Sequence, residues 1–270
     1  VVVAAAPRPG ASAGGERLIA LEDRRVGLRK GCVLALLLVP LAPFARAQTQ
    51  PASTDRAPLA AAHLASVVDL PLYFRLYHAR LPAAQSTFYQ GSNAMLYDLS
   101  GDAAIMIDGG ATQALAEGAG AFLATGQQVT ISAASSEPAE LLLFVLTALP
   151  NQRPPLDRPA AAVELYRTPD ALPGLKAGPY EFSLTRVTFP AGMPPDQPHY
   201  RTGAALDCVI AGAGTLTADG KTEPRPTGAA QDEPHGWVHQ WANPGETPLV
   251  VLEANISREG EPAVQPAAEK

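Results

Sequence analysis

The sequence predicts an all-β protein: two tandem small barrels or jelly rolls behind an N-terminal signal segment. Three observations carry this. Proline (27) and glycine (23) punctuate the 270 residues while charged residues make up only 17%, a composition suited to short strands and turns. Segments such as LTRVTF and GTLTAD alternate apolar and polar residues, and PLVVLEANI is one nearly unbroken apolar run. The two halves of the chain also echo one another.

The echo is ordered along the chain. FRLYHARLPAA from Phe74 answers FSLTRVTFPAG from Phe182, and YDLSGDAAIMIDGG from Tyr97 answers CVIAGAGTLTADGK from Cys208. In the second pair Gly101 meets Gly212, Asp108 meets Asp219 and Gly109 meets Gly220. Further on, GQQVTISAASSEP from Gly126 answers GWVHQWANPGETP from Gly236. A nearly constant offset implies one duplicated supersecondary unit, and short strands in such a unit close into a barrel to hide their edges.

The segments follow in order. In residues 24–47, Arg24, Arg25, Arg29 and Lys30 precede an apolar stretch and the small-x-small site Ala45-Arg46-Ala47, the layout of a secretory signal. Pro40 and Pro43 interrupt the apolar stretch, so it is expected to be cleaved rather than to anchor the chain. Arg24-Arg25 with Lys30 leaves both the Sec and the twin-arginine routes open, and 1–23 reads as an upstream extension. A first barrel is expected over 48–150, with a short helix within 51–70. A Pro-rich linker follows over 151–165, then a second barrel over 166–258 and a disordered, solvated tail over 259–270. The protein is expected in the periplasm or secreted, with no membrane association after signal cleavage.

The totals exclude several classes. A net charge of −6, with no Lys/Arg cluster in the body of the chain, gives no footprint for nucleic acid. Removal of Cys32 with the signal leaves Cys208 alone, so no intramolecular disulfide and no CxxC site can form. No Ser–His–Asp signature, Walker loop or Rossmann glycine set appears in a fitting context.

The chemistry-bearing residues concentrate in the second half. From Gly228 the chain reads G-x5-P-x-G-x2-H-x3-N, with Pro234, Gly236, His239 and Asn243 at the defined positions. This resembles, without a gap, the second motif of the cupin superfamily of jelly-roll barrels. Gly192 to Gly212 is similar to the first cupin motif in degenerate form. His199 stands for its first histidine, but Arg201 holds the second histidine position and Ala205 the glutamate position. The resemblance covers about 70–255 as a bicupin. It implies that His239 points into the barrel and that Asn243 helps hold the turn after it. Val129 and Ala133 correspond to His239 and Asn243, and Phe88 and Gln90 to His199 and Arg201, so the first barrel is expected to be structural.

Residues i and i+2 of a strand share a face, so histidines spaced this way aim into one cavity. The resemblance implies a site for Fe(II), Mn(II) or Zn(II) held by His199 and His239, and Asp207, which shares the inward parity of Ala205, could complete a two-histidine-one-carboxylate triad in place of the missing glutamate. Two features oppose it. Arg201 puts a fixed positive charge where the ion would sit, and Leu206, Cys208 and Ile210 mark the opposite parity as the apolar set around Asp207. Without metal, Arg201 is a fork for a small acidic ligand or a rim residue paired with an acid, with Tyr200, Trp237 and Trp241 as pocket walls or plain packing residues. Cys208 is expected to be buried and inert, His63 and His78 to be surface or packing residues, and His235 to face solvent in the turn before its strand. Two functions stay open. One is a metal-dependent oxidation or isomerisation of a small organic molecule, dioxygenase-like or isomerase-like. The other is a metal-free ligand-binding or structural cupin without catalysis, with pairing into a homodimer allowed.

Overall fold

In the computed structural model, residues 53–67, 70–148 and 153–268 are described, and none of them is helical. The signal segment and upstream extension lie outside these residues. The first half contributes β1 (Asp55–Val67), β2 (Tyr73–Leu81), β3 (Ser86–Tyr89), β4 (Ala94–Ser100), β5 (Ala103–Ile107), β6 (Gln113–Leu115), β7 (Gly120–Leu123), β8 (Val129–Ala133) and β9 (Ala139–Thr147). The second contributes β10 (Ala161–Arg167), β11 (Gly178–Phe189), β12 (His199–Arg201), β13 (Ala204–Ala211), β14 (Ala213–Ala218), β15 (Lys221–Pro226), β16 (Ala230–Glu233), β17 (His239–Ala242), β18 (Leu249–Arg258) and β19 (Val264–Pro266).

These strands form four sheets. The N-terminal barrel closes β10-β2-β9-β4-β7 over β3-β8-β5-β6, and the C-terminal barrel closes β1-β11-β18-β13-β16 over β15-β14-β17-β12-β19. The expected pair of tandem jelly-roll barrels is therefore the observed fold. Turn chemistry fixes the repeats. Asp219 and Gly220 both take positive φ (50° and 73°) in the two-residue turn between β14 and β15, as an Asp-Gly hairpin requires. Asp108 and Gly109 do the same in the first barrel (50° and 69°). Gly101 and Gly212 are also equivalent: a Cβ on either would run into the carbonyl oxygen of Pro138 or Pro248.

Three apolar cores follow. Leu96, Leu123, Ile131 and Leu143 fill the first barrel, and Val187, Phe189, Leu216, Trp241 and Val251 the second. A third lies between the barrels, where the β2–β9–β4 and β11–β18–β13 faces meet through Phe74, Phe144, Phe182, Leu206, Cys208 and Ile256. Phe74 and Phe182 bring ring centroids to 6.2 Å, and full burial of such a side chain is worth about 1.5–3 kcal/mol. The strands flanking this layer are buried on both sides. That is why β18 reads as an apolar run, and why Leu206 and Cys208 face the neighbouring barrel while Asp207 faces into its own.

Four expectations need correction. Residues 55–67 form a strand, not a helix: the open edge of β11 gives their backbone a ladder, which overrides the helix propensity of an alanine-rich stretch. Pro58 is tolerated there because it sits at an edge-strand irregularity. The barrels also exchange edge strands. β1 joins the C-terminal barrel, and β10, which begins inside the expected linker, joins the N-terminal one, so 48–150 and 166–258 follow chain order rather than the sheets. The tail is not free, because β19 pairs with β12 and covers its edge. Finally, Tyr89 pairs with Val129 as His199 pairs with His239. With Val129 equivalent to His239, the counterparts of His199 and Arg201 are Tyr89 and Gly91, not Phe88 and Gln90, and a one-residue slip of this kind exchanges the two faces of a strand.

Candidate functional site

The interior of the C-terminal barrel gathers its charged side chains by register. Asp207 on β13 stands opposite Glu253 on β18, and Ala205 stands opposite Glu233 on β16, so all four face the same cavity. Carboxylate oxygens of Asp207, Glu233 and Glu253 lie within 4.8 Å of one another, the one such group among the described residues close enough to hold a cation. Arg201 enters from the facing sheet. Its Nε donates to Glu233 Oε2 at 2.6 Å and its other arm donates to Glu253. Arg56 from β1 also pairs with Glu253. Trp241 Nε1 donates to Glu233 Oε1 at 3.0 Å. His239 Nε2 lies 2.8 Å from the same oxygen, an ion-pair contact off the hydrogen-bonding line, while Nδ1 faces the Trp237 carbonyl at 2.9 Å. Arg201, Asp207 and His239 are each 1% exposed and Glu233 is fully buried.

Burial and charge sort the ionisation states. Burial pushes the Glu233 carboxyl up, but Arg201 and then His239 outweigh it and hold it well below the usual carboxylate range. Burial, reinforced by Glu233 and Glu253, drives Asp207 well above that range. Burial depresses His239, but Glu233 overcomes this and its net shift is upward. The arrangement is thus a chain of basic and acidic groups in alternation, Arg56–Glu253–Arg201–Glu233–His239, with Asp207 beside it.

The first barrel lacks all of this. Leu96 faces Leu143 and Ala94 faces Leu123 in the pairings that place Asp207, Glu253 and Glu233. The three acids thus correspond to Leu96, Leu143 and Leu123, each fully buried.

At the barrel wall, His199 and His239 stand opposite each other with ring centroids 4.4 Å apart. His199 Nδ1 lies 2.9 Å from the Gln197 carbonyl, and its side chain is 15% exposed. Nearby Asp196 is pushed up by burial, offset in part by His199. A groove of ≈ 890 Å³ runs over this sheet, lined by Gln197, Tyr200, Thr217, Asp219, Val238 and Gln240 and reaching His239. Tyr200 Oη donates to Gln265 Oε1 at 3.0 Å. Trp237 stacks on the His239 ring at 5.2 Å and donates to Asp219 at 3.1 Å. A similar groove of ≈ 700 Å³, with Phe88, Gln90, Met106 and Gln128, marks the first barrel.

Set against the sequence, the structure brings His199 and His239 together, while the close partners of Asp207 are Glu233 and Glu253, and only Glu233 links it to His239. Arg201 is not a rim fork for an acidic ligand, because two internal carboxylates already occupy it. Trp241 is a core residue stacked on Phe189 at 5.9 Å rather than a pocket wall. Tyr200 lines the groove and Asn243 holds its turn, donating to Phe189, Pro190 and Thr247 carbonyls and accepting from Gly245. Glu233 and Glu253 were missed. Their signal was a single acid inside the apolar run PLVVLEANI, and an acid directly before the Pro-x-Gly turn.

Two closed jelly rolls, sharing a sheet-to-sheet core and differing in their interiors, define an all-β protein of bicupin fold. Solved structures agree. A structure of oxalate decarboxylase, solved for its substrate-binding mode, is similar over 74% of this chain and 76% of its own, with 15% identity and a TM-score of 0.50. Bacillus subtilis oxalate decarboxylase, in work on its Mn(II) centres, is similar over 73% of this chain and 71% of its own, with 15% identity and a TM-score of 0.50. The same enzyme at pH 4.6 gives 73%, 70%, 15% and 0.50. At this identity the likeness is one of fold. No family model and no curated protein matches the sequence.

The fold raises the question of a metal, and the residues of this barrel do not fit one. The three carboxylates are close enough, but Arg201 binds two of them. A divalent ion among the oxygens would stand roughly 4 Å from the guanidinium, a repulsion of about 8 kcal/mol at an effective dielectric of about 20. His239 is also committed, with one ring nitrogen on the Trp237 carbonyl and the other against Glu233.

Proposed function

We propose that this is an exported, metal-independent binding protein that takes a small, uncharged, hydrogen-bonding organic molecule in the groove over β12, β17 and β14. The observation that carries the reading is the groove itself: ≈ 890 Å³, with Gln197 and the oxygens of Tyr200, Thr217 and Gln240 as polar groups around Val238. Small-molecule sites have this size and this mixture of apolar wall and a few polar groups. The acid on the groove, Asp219, already accepts from Trp237, which favours an uncharged ligand over a cation. Export rests on the signal layout of 24–47.

A second reading, a metal-dependent oxidase or isomerase of a small organic substrate, is favoured by the proximity of Asp207, Glu233 and Glu253. It requires Arg201 to leave both of its carboxylates. The test is ligand-detected NMR of the full chain against neutral polyols, amides and small carboxylates. Saturable binding of a neutral compound, weakened at least about tenfold in Tyr200→Ala and Gln240→Ala but not in Phe88→Ala, supports the groove. Binding that is indifferent to both groove variants rejects it.

A further inference from the structure

The barrel interior supports an inference independent of the groove. We propose that Arg201 is the resident cation of the C-terminal barrel. Its guanidinium stands in place of a divalent ion, so the wild-type barrel excludes transition metals, and removing this one side chain uncovers a latent metal site formed by Asp207, Glu233 and Glu253.

The geometry is that of replacement. A cation in a carboxylate cage gathers acids from separate strands, and Arg201 does this with its two arms, one on Glu233 of β16 and one on Glu253 of β18. Its burial, at 1% exposure, removes the route by which an incoming hydrated ion would displace it. A guanidinium does not deprotonate in proteins, so no accessible pH releases the acids to a metal. Movement of Arg201 to the outside would leave Glu233 with only Trp241 and His239, and Glu253 with only Arg56, and would take from each its buried guanidinium partner.

The sister barrel provides a comparison inside the same molecule. At the equivalent positions it has Leu96, Leu123 and Leu143, and Gly91 in place of Arg201. Acids and arginine are absent together there and present together here, as expected if each requires the other. The carboxylates therefore read as partners of the guanidinium rather than as vacant ligands.

The experiment equilibrates the full chain anaerobically with Mn(II), removes free ion by gel filtration, and reads bound metal by elemental analysis and Mn(II) electron paramagnetic resonance. Wild type is expected to retain far less than one ion per chain. Arg201→Met is expected to gain about one, lost again in Arg201→Met/Glu233→Gln. Stoichiometric Mn(II) in wild type that disappears in Glu233→Gln overturns the proposal, as does a folded Arg201→Met that binds none. If Arg201→Met is unfolded without metal, Mn(II) present during refolding is expected to restore its β-sheet circular dichroism. Equal failure with and without the ion overturns the latent site.

Discussion

Arg201 and Glu233 form an ion pair at 2.6 Å in which neither side chain is more than 1% exposed. Such a pair gains little net stability over apolar residues of similar size, because both charges lose their hydration. The first barrel shows that this fold closes perfectly well on leucines at the acid positions. Its charged counterpart is therefore a specialised interior laid into a scaffold that does not need it, and its removal can be predicted piece by piece.

Asp207→Leu is expected to stabilise the protein by about 1–2 kcal/mol at pH 7, and Glu233→Leu to destabilise it by about 3–5 kcal/mol. The sign differs because the roles differ. The folded pKa of Asp207 is raised, so the group costs stability as pH rises above its free value, and a leucine there, as at Leu96 in the first barrel, carries no such cost. Loss of Glu233 instead leaves Arg201 and His239 short of their shared partner. Urea unfolding of the two variants beside wild type measures both, and a destabilised Asp207→Leu contradicts a raised folded pKa for this acid.

His239→Val, which copies Val129, is expected to lose the most stability in mild acid. The folded pKa of His239 is raised above its free value of 6.5, so its contribution is complete below that pH and fades as pH rises through the folded value. The gap between wild type and variant should therefore be widest near pH 6 and shrink toward alkaline pH, by about 1.4 kcal/mol for each unit of pKa shift. Thermal unfolding of both proteins across pH 5.5 to about 9 reads it. A gap that widens with pH means that His239 is buried neutral.

Cys208 is expected to resist thiol reagents until the protein unfolds. It is 2% exposed between the barrels, and burial, with Asp207 adding, pushes its thiol up to about 12. Labelling with a chromogenic disulfide at pH 8 should be slow in native protein and complete in denaturant. Fast native labelling would mean that the interface between the barrels opens.

Much of the architecture was legible because it is periodic. Paired Asp-Gly turns, glycines that tolerate no Cβ, and matching apolar strands announce a duplicated barrel through local chemistry, and Gly228 to Asn243 carries the motif that puts His239 on an inward-facing strand. The meeting of His199 with His239 was expected from the resemblance of the two motifs, since the pair lies on different strands and no parity along one strand relates them. Edge pairing was not legible. Whether 55–67 is a helix or a strand depends on an unpaired edge of β11, contributed by residues more than a hundred positions away, and β19 finds β12 for the same reason.

The sequence by itself determined the repeated barrel strands, the duplication and the residue types available to the second barrel, since these depend on neighbours a few positions apart. Only the tertiary structure decided what those residues do. Strands buried on both faces gave the sequence two competing parities at Asp207, and the contacts of the neighbouring barrel resolved them. Arg201 became the centre of the interior rather than a ligand hook at its rim, because Glu233 and Glu253 arrive from two other strands, and an ion pair across a barrel is set by distances in space that no spacing along the chain records.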